Sequence, residues 1–122
     1  MEKTIDLGNF KRPKSTLFTG RPQGREVRNK LKLDILDKDS NIEKVIIVIP
    51  EDITSINSSF YLGLLYDSFK NLGKKGFESK YEFKLKSENK KMREVIRNNL
   101  DDAKRYAMNQ INNKSNLWNF IK

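Results

Sequence analysis

The chain has no cysteine and no histidine. Without cysteine there are no disulfides, no thiolate nucleophile and no Cys-based metal site. Without histidine the commonest general base and the commonest zinc ligand are both missing. Histidine-dependent triads are therefore excluded, and any catalysis would fall to Asp, Glu, Lys, Tyr, Ser or Arg. Long apolar runs are missing too. The longest is Val45–Ile49, far short of a membrane span. The opening MEKTIDLGNFKR lacks the apolar stretch of a signal peptide, so a cytoplasmic protein with no membrane partner is expected. With 122 residues there is room for one core. Hydrophobic residues make up 36% and charged residues 34%, yet 7 Phe, 4 Tyr and 1 Trp can anchor that core, which argues against disorder.

Charge is in excess and unevenly placed. The net charge is +9, which favours nucleic acid, an anionic membrane or an acidic protein as partner. Residues 1–32 hold nine basic side chains (Lys3, Lys11, Arg12, Lys14, Arg21, Arg25, Arg28, Lys30 and Lys32) against Glu2, Asp6 and Glu26. Most of the excess thus lies in the first quarter of the chain.

Periodicity predicts the order β-β-α-β-α-β-α. Thr4–Leu7 alternates and reads as a strand, and Ser15–Thr19 as a second that pairs with it in a hairpin. Gly20–Gly24 reads as a loop. Val27, Leu31, Ile35 and Leu36 mark one face of a helix from Arg25 that ends at Asp37–Asn41. Lys44–Ile49 is a β-branched run typical of a strand buried on both faces, closed by Pro50. Thr54–Ser59 is rich in helix-capping residues. Phe60, Tyr61, Leu64, Leu65, Phe69 and Leu72 follow at helical spacing, with a stop at Gly73 and Gly76. Tyr81, Phe83 and Leu85 alternate with Glu82, Lys84 and Lys86, a strand with one wet face. A long helix from Ser87 carries Met92, Val95, Ile96, Leu100, Ala103, Ala107 and Ile111, a pattern long enough to admit a break near Asn98-Asn99. The tail, residues 115–122, holds Leu117, Trp118, Phe120 and Ile121, and either docks on the core or supports self-association. Alternating strands and helices predict a layered α/β domain with right-handed crossovers.

Within this order, KVIIVIPEDITSINSSFYLGLLYDSFKNLGKKG resembles the central unit of STAS domains, the fold of bacterial anti-sigma-factor antagonists. LFTGRPQGREVRNKL is similar to the start of a smaller STAS-like family of unknown function. The likeness is strongest over residues 15–97. It implies a single STAS-like α/β domain over residues 1–114, with a small mixed sheet covered by helices. It also implies a non-enzymatic regulatory signalling module that binds an acidic protein, such as an ATPase of the histidine-kinase-like fold. In the antagonists a serine at the turn before the helix is phosphorylated and binding is lost. Carried across, Ser58 takes that place, with Ser59 beside it. Asn57 stands where the antagonists have Asp, and Phe60 where they have Gly. The expected partner-binding residues are Asn57, Phe60, Tyr61, Arg21, Arg25 and Arg28. No catalytic residue, metal or cofactor is expected.

Each feature has a plainer reading. Ser58 and Ser59 also suit simple helix capping, worth about 1 kcal/mol. GRPQGREVR could hold an anion between Arg21, Arg25 and Arg28, with Gly20 and Gly24 allowing close approach, or could be a glycine-shaped loop before a solvated basic face. It is not a Walker loop, because no Gly-Lys-Ser/Thr follows. The alternative function is nucleic-acid binding through the basic N-terminal third, with Phe10, Phe18 or Tyr61 stacking on bases. Glu51, Asp52 and Glu82-Phe83-Lys84 loosely evoke metal-dependent nucleases, but a whole helix separates the two pieces.

Overall fold

The structure, a computed structural model, describes the backbone of residues 1–121 and the side chains of residues 1–111. It is mixed α/β. In chain order it holds β1 (Glu2–Asp6), a 3-10 turn (Leu7–Phe10), β2 (Leu17–Phe18), α1 (Arg21–Leu31), α2 (Leu33–Lys38) and β3 (Lys44–Ile49). Then come β4 (Ser55–Ile56), α3 (Ser58–Lys80), β5 (Tyr81–Leu85) and α4 (Lys90–Ile121).

The expected hairpin does not form. β1 pairs in parallel with β3, with Ile5 opposite Ile47, and β2 pairs in parallel with β4. The reason lies in β3. A central apolar strand must satisfy backbone groups on both edges, and β1 and β5 flank it in the order β1-β3-β5. Every pairing among the described strands is parallel, so the sheet is not mixed. The chain thus repeats one pattern: strand, turn, short strand, helix. It runs β1-β2-α1 and then β3-β4-α3.

Helices cover one face of the larger sheet. Val45, Ile47 and Ile49 face the core at 0–2% exposure, beside Ile5, Tyr81 and Leu85. The opposite face carries Thr4, Ile46, Val48, Glu82 and Lys84. Only Val48 is buried there, and it stands outside the main core cluster. β3 is therefore not enclosed on both faces as its apolar run suggests.

Several boundaries differ from the periodic reading, each for a local reason. α1 begins at Arg21, because Gly20 (φ 89°) turns the chain and Pro22 suits the first helical turn. The expected single helix is broken at Lys32 (φ 55°), which leaves Ile35 62% exposed and swings Leu33 and Asp37 inward. Gly73 (φ 73°) kinks α3 rather than ending it. The helix resumes so that Phe77 can stack on Phe69 (3.8 Å between centroids) and on Tyr81 (5.0 Å). α4 starts at Lys90, with the Asn89 side chain accepting from the Met92 N–H at 3.1 Å, and runs unbroken past Asn99. Asn99 does not break the helix but seals the β4 edge, where its Oδ1 accepts from Ile56 N (2.9 Å) and Ser55 Oγ (3.2 Å). The tail, residues 115–122, expected either to dock on the core or to offer a partner or second copy an apolar handle, lies outside the described side chains.

Candidate functional site

The paired short strands determine where the two following helices begin. β2 leads into α1 and β4 into α3, and the strands are parallel neighbours, with Asn57 N donating to Phe18 O at 2.9 Å. The helices run in the same sense. Gly24 faces Phe60–Leu64, and one turn on Arg28 reaches Leu64 and Ser68. Two glycines let them touch. A Cβ on Gly24 would stand 2.2 Å from the Phe60 carbonyl oxygen, and one on Gly63 would stand 2.3 Å from that of Arg21. Gly24 therefore serves helix packing and does not cradle an anion, since α3 fills the space in front of it.

The start of α3 is open to solvent. Asn57 is its cap, with Oδ1 accepting from Ser59 N at 2.7 Å. Ser58 and Ser59 occupy the first turn and are exposed. Capping thus belongs to Asn57, and both serine hydroxyls are left on the surface. Arg25 is exposed one turn into α1, and its backbone N would lie 3.0 Å from a Gly63 Cβ. Arg21 is half-buried, with its guanidinium 5.9 Å from the Tyr66 ring centroid, and Lys70 Nζ stands 5.7 Å from the same ring.

Three expected partner-binding residues are not on this surface. Phe60 (1% exposed) stacks on Phe18 at 4.9 Å, and Tyr61 (2%) lies against Phe69 and Phe83. Burial pushes the Tyr61 hydroxyl well above its usual range. Their helical spacing put them inside, and the same spacing removes them from any docking face. Arg28, 4% exposed, is the third. With Phe18 and Tyr61 in the core, neither ring can stack on a base.

Arg28 instead anchors a buried polar network that the sequence reading missed. Nη1 donates to Leu64 O and Ser68 Oγ, both at 2.8 Å, and Nη2 to Asp34 (2.5 Å) and Asp37 (3.1 Å). Asp37 also accepts from Tyr81 Oη (2.5 Å), Ser68 Oγ (2.7 Å) and Asn71 Nδ2 (3.3 Å). Lys80 donates to the carbonyls of Leu36 and Asp39, holding the end of α2. Burial alone would lower the Arg28 guanidinium, but the hydrogen bonds and charges of Asp34 and Asp37 more than offset it and hold it above its ordinary value. Burial first, then the Asp37 contact, pushes the Tyr81 hydroxyl up. The cluster welds α1, α2, α3 and β5 together. One signal for it was present: Gly24, Val27, Arg28 and Leu31 share a single helical stripe.

The acidic residues weighed for nuclease chemistry are engaged separately. Asp52 pairs with Lys11 at 3.1 Å, and Glu82 pairs with Lys44 at 3.6 Å across the sheet. No described helix is long and apolar enough to cross a membrane. No family model matches the chain, and no curated protein or solved structure is significantly similar to it.

Proposed function

We propose that the chain is a cytoplasmic, non-enzymatic interaction module of the STAS-like kind, working through the exposed start of α3. Asn57, Ser58 and Ser59 form its centre, and Arg21 and Arg25 supply the adjoining positive charge. The partner is an acidic protein, with an ATPase of the histidine-kinase-like fold as the class the resemblance implies. Phosphorylation of Ser58 would switch the contact. One observation carries this reading: two parallel strand–helix units, locked at Gly24 and Gly63, present the first turn of α3 beside a basic helix while leaving both serine hydroxyls free of capping duty.

The physics of the switch is local. A phosphoryl group adds close to two negative charges and several acceptor oxygens. At the first turn of a helix it meets unpaired N–H groups and the positive end of the dipole, so the helix tolerates it. The acidic partner does not, because the surface it recognises has changed sign.

The test compares Ser58→Asp with Ser58→Ala as tagged baits in native lysate, with and without nuclease. The Ala variant should retain a stoichiometric protein that survives nuclease, and the Asp variant should lose it while melting at or slightly above the wild-type temperature. Equal retention by both baits overturns the switch. Recovery of nucleic acid alone, abolished by nuclease, transfers the function to the basic surface.

A further inference from the structure

A second surface lies on the β5 side of the larger sheet and shares no residue with the start of α3. β5 is an edge strand, with β3 on one side and no described strand on the other. An edge strand turns half its backbone donors and acceptors away from its sheet, a template for another chain. A cavity of about 540 Å3 runs along this strand. Glu82, Phe83, Lys84 and Leu85 form one wall, and Ile46, Arg93 and Arg97 complete the lining.

The lining offers an apolar residue on each side of the strand and cations around it. Ile46 and Phe83 are half-buried. Arg93 closes one end, its Nη1 donating to the Leu85 and Ser87 carbonyls at 3.0 and 2.8 Å. Glu82 is held by Lys44. Lys84 and Arg97 are both exposed, and neither makes an ion pair among the described residues. Two uncommitted cations therefore flank an open strand edge on a chain of net charge +9.

We propose that β5 receives an extended acidic segment of another protein, which adds to the sheet as a fourth strand. Main-chain hydrogen bonds along β5 supply affinity, and alternate side chains supply specificity. On the open face the segment's side chains meet Ile46 and Lys84, and on the helix-covered face they meet Phe83 and, from α4, Arg97, so each face offers an apolar and a cationic contact. A second copy of this chain fits less well, since it would bring its own Lys84 and Arg97 to the same edge.

The probe is a fluorescein-labelled hexapeptide of valine and glutamate in alternating pairs, which offers both residues to each face of the added strand, followed by anisotropy with the full chain. Its lysine counterpart is the charge control. Two further versions carry N-methyl groups on alternate amides, one in each phase. The glutamate peptide should bind at least about tenfold more tightly than the lysine peptide, and Arg97→Glu should weaken it by a similar factor with an unchanged melting temperature. One N-methyl phase should abolish binding, because only one set of peptide amides can face β5. The proposal is overturned if the glutamate peptide does not bind, if the lysine peptide binds equally, or if both methylated phases bind like the parent. It is also overturned if the chain sediments as a dimer whose β5 amides resist exchange, since the edge is then taken by a second copy.

Discussion

Replacing Gly24 with alanine should destabilise the protein severely, although alanine is the better helix former. At an unconstrained helical position the exchange would stabilise by up to about 1 kcal/mol. Here the new methyl carbon would stand 2.2 Å from the Phe60 carbonyl oxygen and 2.8 Å from Leu64 N, where ordinary contact begins near 3.4 Å. α1 must therefore withdraw from α3 by roughly 1.2 Å. Both atoms met are backbone, so no side chain can rotate aside. Overpacking of this kind costs about 1–3 kcal/mol. The withdrawal also stretches the Arg28 bonds to Leu64 O and Ser68 Oγ, each 2.8 Å in the native interface, beyond hydrogen-bond range. Leaving that buried guanidinium underbonded adds about 1–3 kcal/mol. A total near 2–6 kcal/mol is a large part of the ~5–15 kcal/mol that holds a typical domain folded. In urea, with a slope of about 1–3 kcal/mol/M, the midpoint should fall by at least about 0.7 M. Gly63→Ala should do the same, and the double variant should cost less than the sum, since both changes open one interface. A loss below about 0.5 kcal/mol for Gly24→Ala, or any gain, would refute the helix contact as described.

Two further outcomes follow from the buried charges and the capped turn. Arg28→Met should cost about 3–5 kcal/mol by stranding Asp37 in the core, whereas Arg28→Met with Asp37→Leu should recover much of that loss; a double-mutant cycle in urea with no coupling between the two sites would contradict the network. Acid should weaken the fold through Asp6 and Asp34. The Gly8 N–H, aided by Lys86 and opposed by burial, holds the Asp6 carboxyl below its ordinary value. A hydrogen bond from Arg28 does the same for Asp34. A depressed folded-state pKa means the contribution is complete above the unfolded carboxylate range, near 4, and is lost as pH falls through the folded value. Asp6→Asn and Asp34→Asn should therefore be less stable than wild type at pH 7 and converge with it as pH falls through the depressed folded-state value, and a pH-independent offset would remove these carboxylates from the account.

The elements were largely legible because each leaves a local period. Tyr81, Phe83 and Leu85 alternate inward, and Ile96, Leu100, Ala103 and Ala107 line the buried face of α4, as their spacing requires. Strand pairing leaves no such mark. Nothing within Thr4–Leu7 or Ser15–Thr19 says that each prefers a strand some forty residues away to its neighbour. That choice is made by β3, whose two edges both need partners. Residues with two possible jobs were misread for a related reason. Asn99 looks like a helix breaker until the unpaired N–H of Ile56 is beside it. Gly24 looks like a phosphate-loop glycine until Phe60 is against it.

Arg28 carries two sequence signals that point in opposite directions. Counted by charge, it joins Arg21 and Arg25 in a basic face. Counted by angle, it falls with Gly24, Val27 and Leu31 on the stripe that must meet the core. The two counts conflict, and the helical period prevails because burying Val27 and Leu31 carries every residue between them on that face inward. An arginine carried inward must then find carboxylates, and Asp34 and Asp37 lie within three turns along the chain. The same conflict applies to Phe60 and Tyr61, where spacing again outweighs proximity to the serines. What survives at the start of α3 is the set that period leaves outside: Asn57, Ser58, Ser59 and, across the glycine contact, Arg25. A surface reduced in this way is narrower than the charge count suggests. Its polar groups sit on backbone held by Gly24 and Gly63, so a loss of partner binding in Ser58→Asp with the fold intact would report on charge and not on packing.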